Sequence, residues 1–284
     1  MEQPFDILIK FIHAREEARI HKGLGNDKPW TSDPIVQKYR FCNMDRNDDP
    51  VTKFIHKKYL GQEDDFLIVN LTIARWSNQP AALHYLEVYD VWDHLQKDFV
   101  ETFDALRGAG KPVQNMAYMT WGGHKEFKGR AKHHCFNETT LRDLKASWKD
   151  RPEDMQNASL ADMADWLIRA KGLQSFLVNQ ILTDLKYSKW FTTPDAATFL
   201  LPGPGTRRGM NRLMERDIDA KVYESVVVRE VLQLRDKLVM YVPASLEYSM
   251  LDPNNVANIL CEFDKYCRVY LNEGKSPKQK YPGV

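Results

Sequence analysis

Apolar residues recur at helical spacing along most of the chain, and this periodicity restricts the fold more than any other feature. In the segment 5–22, for example, Ile7, Leu8, Phe11 and Ile12 fall on one face of a helix. A period of three to four residues is typical of amphipathic α-helices, whereas strict alternation would indicate strands. Similar segments follow one another to about residue 270, so the sequence predicts an all-α fold.

Capping residues mark the start of several predicted helices. Ser159 and Asp252 each precede an apolar periodic run, and Asp49 with Pro50 combines a good N-cap with a residue suited to the first helical position. No clear linker interrupts the series, so we predict one domain over residues 1–284, with a division near 123–130 left open. The predicted helices cover 5–22, 35–43, a segment from 50 onward, 65–77, 88–106, 160–171, 174–187, 207–213, 219–241 and 253–270.

The composition indicates a globular protein. Hydrophobic residues make up 43% of the 284 residues and charged residues 28%, and no apolar run is long enough to span a bilayer. The formal net charge of +1 argues against a protein that coats nucleic acid through bulk charge, although local basic patches still permit an enzyme that acts on DNA. The four cysteines form neither a C-x-x-C pair nor a disulfide scaffold, so free thiols in a reducing cytoplasm are expected.

A Pro/Gly-rich stretch near 201–209 predicts a hairpin turn, followed at once by basic residues. Glycines let a backbone approach an anion closely, and the amides that open a helix carry partial positive charge. Pro204 removes one amide donor from this turn. A loop between two packed helices is the alternative, and it is favoured for the turn taken alone. The residues predicted to contact the DNA backbone are Gly203, Gly205, Thr206, Arg207 and Arg208.

Three polar residues share one face of the predicted helix 174–187. Gln180, Asp184 and Tyr187 are spaced i, i+4, i+7. An amide, a carboxylate and a phenol together have the groups to read a base edge and to accept a proton. A structural hydrogen-bond network between helices is an equally open interpretation.

Arginine and asparagine occur together twice at a spacing of three residues. Arg40 and Asn43 form the first pair, with Arg46 close by, and Arg75 and Asn78 form the second. Arginine matches phosphate oxygens in a bidentate manner, and asparagine reads base edges. Each pair alone is more often a hydrogen bond at a helix end.

The last predicted helix carries charged residues at ion-pair spacing. Glu262 and Lys265 are three residues apart, and Asp264 and Arg268 are four residues apart. Pairs of this kind are common on helix surfaces and contribute about 0.3–0.5 kcal/mol. The spacing alone therefore favours surface ion pairs.

Several kinds of site lack support in the sequence. His133 and His134 are adjacent, so their side chains are expected to point apart, and no second ligand pair lies at metal spacing. The phosphate loop, the dinucleotide-binding glycine motif, H-E-x-x-H and G-x-S-x-G are all absent. We therefore expect no metal, no cofactor, and no nucleotide kinase or Rossmann dehydrogenase activity.

Five stretches, taken in order, resemble a known family. It is the phage-associated family of α-glutamyl/putrescinyl thymine pyrophosphorylases, which is related to the helical domain named after 5-hydroxymethyluracil DNA kinases. No single stretch is specific, but their order and number are. The stretches are Tyr39-Arg40-Phe41-Cys42-Asn43 with Asp48-Asp49, Arg75-Trp76-Ser77-Asn78, Asn179-Gln180-Ile181-Leu182-Thr183-Asp184-Leu185, Gly203-Pro204-Gly205 with Arg208-Gly209, and Leu260-Cys261-Glu262-Phe263-Asp264-Lys265-Tyr266.

The resemblance implies a DNA glycosylase-like helical fold with a helix-hairpin-helix-like turn near 201–209. It also implies a transferase that acts on phosphorylated or pyrophosphorylated 5-hydroxymethyluracil in DNA. This enzyme would take the base out of the stack and replace the pyrophosphate by an amino acid or a polyamine. The implied partners are double-stranded DNA with modified thymine and a small amine donor, without a membrane. The implied location is the cytoplasm of a phage-infected bacterium.

The sequence departs from the pattern of helix-hairpin-helix glycosylases at one point. Asp217 and Asp219 follow the turn too closely to match the essential aspartate of those enzymes. Two alternatives stay open: a DNA glycosylase that excises a modified pyrimidine, and a non-catalytic DNA-binding helical module that partners a DNA kinase. The expected catalytic residues are Asp184, Glu262, Gln180 and Tyr187, and the expected substrate-binding residues are Arg40, Asn43, Arg46, Arg75, Asn78, Asp264 and Lys265.

Overall fold

The structure is a computed structural model that describes residues 2–115, 128–274, 277, 280 and 281. Within these residues the chain is helical and has no β-strand, which confirms the predicted all-α fold. The α-helices are α1 (Pro4–Gly23), α2 (Pro34–Lys38), α3 (Pro50–Tyr59), α4 (Leu67–Ser77), α5 (Pro80–Leu83), α6 (Trp92–Gly108), α7 (Lys132–Phe136), α8 (Arg142–Ala146), α9 (Leu160–Leu167), α10 (Ser175–Leu185), α11 (Pro204–Leu213), α12 (Glu224–Leu238) and α13 (Pro253–Tyr270).

The helices form two compact units. Met1–Asp49 and Leu200–Val284 form the terminal unit, and Pro50–Phe199 forms the central unit. These boundaries differ from the division near 123–130 that the sequence left open, and residues 123–127 lie outside the described part of the chain. The single domain over residues 1–284 stays a prediction. No helix among the described residues has the length and apolar character needed to cross a membrane.

Two of the three predicted caps form where the sequence indicates them, and the Asp49 cap stays a prediction. The Ser159 side chain accepts a hydrogen bond from the backbone N–H of Asp162 at the start of α9. Asp252 accepts one from the N–H of Asn254 at the start of α13. Both interactions satisfy donors that the first turn of a helix leaves without a partner. The ends of these helices were therefore readable from local chemistry.

The predicted helix 35–43 is wrong in its second half. α2 ends at Lys38, and Tyr39 has an extended backbone, with φ −106° and ψ 145°. The buried Arg15 side chain of α1 donates hydrogen bonds to the carbonyls of Phe41 and Cys42. Because these carbonyls are engaged by α1, a long-range contact replaces the local hydrogen bonds of a helix.

The terminal unit is built around a close approach of α11 to α13. α11 begins at Pro204, earlier than predicted, so Gly205 and Gly209 lie inside a helix and the turn itself is confined to residues before Pro204. A Cβ atom on Gly205 would collide with the Cys261 side chain, and one on Gly209 would collide with the carbonyl of Leu260. The two glycines are therefore needed for helix packing.

Replacing Gly209 by alanine is expected to destabilise the protein by about 1–3 kcal/mol, because the added methyl must displace the backbone of α13. Urea unfolding of both proteins measures this difference. Gly108→Ala is the matched control, since Gly108 ends α6 and a Cβ there would meet nothing within 4 Å. Equal stability of the Gly209 variant and the parent protein would contradict the close approach.

The central unit is built around α4. All eleven residues of α4 are buried, as expected for a helix that is surrounded by other elements. Trp76 of α4 stacks on Phe136 with ring centroids 4.5 Å apart, and α10 packs against the same helix. Burial on all sides also fixes the polar residues of α4, among them Arg75.

Candidate functional site

The centre of the polar site in the central unit is an ion pair between Arg75 of α4 and Asp184 of α10. Both side chains are at most 2% exposed. Nε and Nη2 of Arg75 each donate to a different carboxylate oxygen of Asp184, which is a bidentate arrangement. Burial alone would raise the pKa of Asp184, but the charge of Arg75 and a hydrogen bond with His56 outweigh it and hold that pKa below its ordinary value.

His56 of α3 extends this pair toward solvent. Its Nε2 lies 3.0 Å from Oδ1 of Asp184, and its side chain is 20% exposed. Its ring centroid is 5.5 Å from that of Tyr187. A carboxylate fixed by an arginine and bonded to one imidazole nitrogen holds the ring in one orientation, as general-base histidines require. Since the pKa of Asp184 is lowered and both of its oxygens accept hydrogen bonds, its carboxylate is a poor proton acceptor.

Sequence reasoning missed His56. It lies in a His-Lys-Lys stretch of α3 without any motif, 128 residues from Asp184. A polar residue of α3 at helical spacing, Thr52, also faces the site and accepts a hydrogen bond from Nη2 of Arg75 at 3.0 Å. The i, i+4 spacing of Thr52 and His56 was the available signal.

The other predicted residues of the central unit lie around this ion pair. Asn78 ends α4 in a left-handed conformation with φ 47°, and its Oδ1 is 3.3 Å from Nη1 of Arg75. Tyr187 lies just beyond α10, and its backbone N–H donates to the carbonyl of Asp184. Gln180 is half-buried on α10. The structure thus brings Arg75, Asn78 and Asp184 together.

A second polar cluster lies in the terminal unit, where α13 meets the extended segment 39–46. Glu262 is buried and accepts hydrogen bonds from the backbone N–H of Cys42 at 3.1 Å and from Lys265 Nζ at 2.5 Å. Burial would lower the pKa of Lys265, but the negative charge of Glu262 outweighs it and raises that pKa. Lys265 therefore stays cationic, and with 35% of its side chain exposed it is accessible to an anion.

Asparagines anchor the same segment to α13. Asn258 Nδ2 donates to the carbonyl of Asn43, and the backbone N–H of Arg46 donates to Oδ1 of Asn255. Arg40 is exposed, and its guanidinium lies 5.3 Å from the ring centroid of Tyr281. The predicted residues Asn43, Arg46 and Lys265 therefore lie together along α13, whereas the contact of Arg40 is with Tyr281.

Asp264 is placed on another face of α13. It is buried, and Arg212 of α11 lies 2.9 Å from it. Arg208 and Arg268 approach the same carboxylate at 3.6 and 3.5 Å. These contacts assign Asp264 to an ion-pair network between α11 and α13, whereas its role in substrate binding stays a prediction.

The residues around the predicted turn are largely engaged within the terminal unit. Arg207 donates to the carbonyls of Pro202 and Val222 and to the carboxylate of Glu224. Thr206 donates to the carbonyl of Ala257. Gly203 occupies the N-cap position of α11. These contacts match the packed-loop alternative, and contact with the DNA backbone stays a prediction.

A cleft in the central unit was not anticipated from the sequence. It has a volume of about 860 Å³, and three half-buried tryptophans line it, Trp92, Trp148 and Trp190. The guanidinium of Arg151 lies 4.8 Å from the ring centroid of Trp148 and pairs with Asp65 at 2.7 Å. The charged residues of its lining are seven acids and two bases: Glu63, Asp64, Asp65, Asp90, Asp93, Glu153, Asp154, Lys145 and Arg151.

Comparisons with known proteins agree with the helical architecture. The sequence model of a family described as "5-hmdU DNA kinase, helical domain" matches residues 2–276. A curated protein of Bacillus phage SP10, described as a 5-hmdU DNA kinase, is 25% identical to this chain over 301 aligned positions that cover 90% of it. The chain spans 44% of the length of that relative. No solved structure matches the chain.

Proposed function

The chain belongs to the family of the 5-hmdU DNA kinase helical domain, and from this premise we propose that it acts on 5-hydroxymethyluracil-derived bases in phage DNA. The family assignment over residues 2–276 is the observation that carries this proposal. Within it, we assign the chain a transferase reaction that exchanges the pyrophosphate of a pyrophosphorylated base for an amine. This reaction is the one that the α-glutamyl/putrescinyl thymine pyrophosphorylase resemblance implies.

The proposed reaction needs one proton acceptor and several cations. The amine nitrogen forms a bond to the exocyclic methylene of the base, the carbon–oxygen bond to pyrophosphate breaks, and the nitrogen loses a proton. In the central unit, His56 is placed to accept that proton, with Asp184 and Arg75 holding its ring. Preorganised cations act most strongly on charge that develops in the transition state. The terminal unit by itself presents Lys265 and Arg40 as accessible cations that suit phosphate groups of the DNA.

The acidic cleft of the central unit supports an amine as the second substrate. Ammonium groups are attracted both to carboxylates and to the faces of tryptophan rings. The position of Arg151 over Trp148 shows this geometry within the protein itself. Because this lining contains seven acidic and two basic residues, the cleft suits a donor that carries more than one positive charge.

Product analysis tests the reaction. DNA that contains 5-pyrophosphoryloxymethyluracil is incubated with the protein and a pool of amines, and its nucleosides are identified by mass spectrometry. A new amine adduct on intact DNA is the expected result. Abasic sites would instead identify a glycosylase, and unchanged DNA would overturn both enzymatic assignments.

A second candidate is a DNA-binding module that works with a DNA kinase. Two observations favour it: the chain matches the model of a helical domain, and it aligns with less than half of a relative that is described as a kinase. In that case the protein would bind DNA with 5-hydroxymethyluracil and leave its bases unchanged. Adding it to a separate kinase would then raise the rate of phosphorylation.

The cleft can be tested separately from the reaction. Asp90→Asn with Asp93→Asn removes two exposed charges of the lining, and the KM for a diamine is expected to rise about threefold to tenfold, with unchanged DNA affinity. Glu101→Gln is the matched control, since Glu101 is an exposed acid of α6 outside the cleft. An unchanged KM in the double variant would remove the cleft from amine binding.

A further inference from the structure

We propose that Asp104 of α6 and His133 and His134 of α7 form a binding site for a divalent first-row transition metal ion such as Zn²⁺, Co²⁺ or Ni²⁺. The expectation that the adjacent histidine side chains point apart is wrong. Nε2 of His133 lies 2.9 Å and Nε2 of His134 lies 3.0 Å from the same oxygen, Oδ1 of Asp104. The ring centroids of the two imidazoles are 4.5 Å apart.

The spacing of the donor atoms fits a metal ion. All three donor atoms lie within 4.8 Å of one another. Two ligands at about 2.1 Å from an ion and at right angles to each other are separated by about 3.0 Å, which is the separation of each imidazole nitrogen from the Asp104 oxygen. Two imidazoles with one carboxylate favour transition metal ions over Mg²⁺ and Ca²⁺, which prefer oxygen ligands.

The burial of the three residues gives one fixed ligand and open access. His133 is completely buried, so its ring is held by packing, whereas Asp104 and His134 are 51% and 34% exposed. A metal ion can therefore enter from solvent and keep coordination positions for water. Bound there, it would tie α6 to α7 within the central unit.

One ring nitrogen of this cluster lacks a hydrogen-bond partner among the described residues with or without a bound metal ion. One carboxylate oxygen faces two imidazole nitrogens, and Nδ1 of His133 is buried without a hydrogen-bond partner among the described residues. With a metal on Nε2, that Nδ1 carries the ring proton. The cost of one unsatisfied buried N–H is small against the free energy of binding a transition metal to three protein ligands.

The site is independent of the proposed reaction, and metal titration of the full chain tests it. Co²⁺ binding is followed by its visible absorption and Zn²⁺ binding by isothermal titration calorimetry. The unaltered protein is expected to bind one equivalent of each metal. His134→Ala and Asp104→Asn are each expected to lower the affinity for the metal by a factor of about ten or more. Both residues are partly exposed, so both variants should fold, and circular dichroism checks this.

His94→Ala is the matched control, since His94 is an exposed histidine of the same helix, α6. It is expected to bind metal as the unaltered protein does. Absence of stoichiometric binding in the unaltered protein would overturn the proposal. So would equal affinities in the three variants, because these would show adventitious binding to surface histidines.

Discussion

His56→Gln is expected to slow amine transfer by about 10²–10⁴-fold while the protein stays folded. Glutamine fills a similar volume and keeps a donor for the hydrogen bond to Asp184, but it is not a base. The loss would therefore report proton transfer and not the collapse of the Arg75–Asp184 pair. Single-turnover rates at saturating amine and DNA measure the effect, with melting temperature and DNA affinity determined on the same preparations.

A control separates this effect from the general loss of a histidine. His84 is also in the central unit, is exposed, and lies outside the polar site, so His84→Gln should react at the parent rate. If His56→Gln also reacts at the parent rate, His56 is not the base and the polar site is structural. A lower melting temperature with normal turnover per folded molecule would lead to the same conclusion.

Asp184→Asn is expected to destabilise the protein by about 3–5 kcal/mol. The change removes the carboxylate charge that balances the buried guanidinium of Arg75. Urea or thermal unfolding measures the difference. Glu138→Gln is the control, because it breaks a solvent-exposed ion pair with Arg130 and should have little effect.

The dependence of stability on pH provides a further test of the same pair. Asp184 has its pKa lowered in the folded state, so its contribution to stability is present above its unfolded pKa of about 3.9. That contribution is lost as the pH falls from this value through the lower folded pKa. The parent protein should therefore lose more stability on acidification than Asp184→Asn does. If the free energies of unfolding of the two proteins fell in parallel as the pH is lowered, the pair would not stabilise the fold.

A double variant distinguishes a structural pair from a functional one. Arg75→Met with Asp184→Leu replaces both charges by apolar side chains and is expected to regain much of the stability lost in Asp184→Asn. If Asp184 positions His56, this variant should be stable but slow. If the pair is only structural, the same variant should be both stable and active.

The sequence by itself determined most of the longer helices of this protein and several of their ends. Periodicity and N-caps are local properties of the sequence. Ser159 and Asp252 therefore cap α9 and α13 at the positions that the periodic segments after them indicate. The pairing of Arg75 with Asn78 was also readable, because residues three apart share a helix face. Within one helix, the number of residues between two positions sets the distance between their side chains.

Only the tertiary structure decided which helix faces and segments pack against each other. His56 reaches Asp184 across 128 residues, and the backbone of Cys42 reaches Glu262 across 220 residues. The spacing of Thr52 and His56 indicates one helix face, but no local pattern indicates the partner in either contact, because each partner belongs to a different element. Gly205 shows the same principle. Local chemistry indicates a turn at this residue, but the structure places it inside α11, where the absence of a side chain lets Cys261 of α13 approach closely. Side-chain contacts between elements depend on packing and burial of whole helices, which no local pattern specifies.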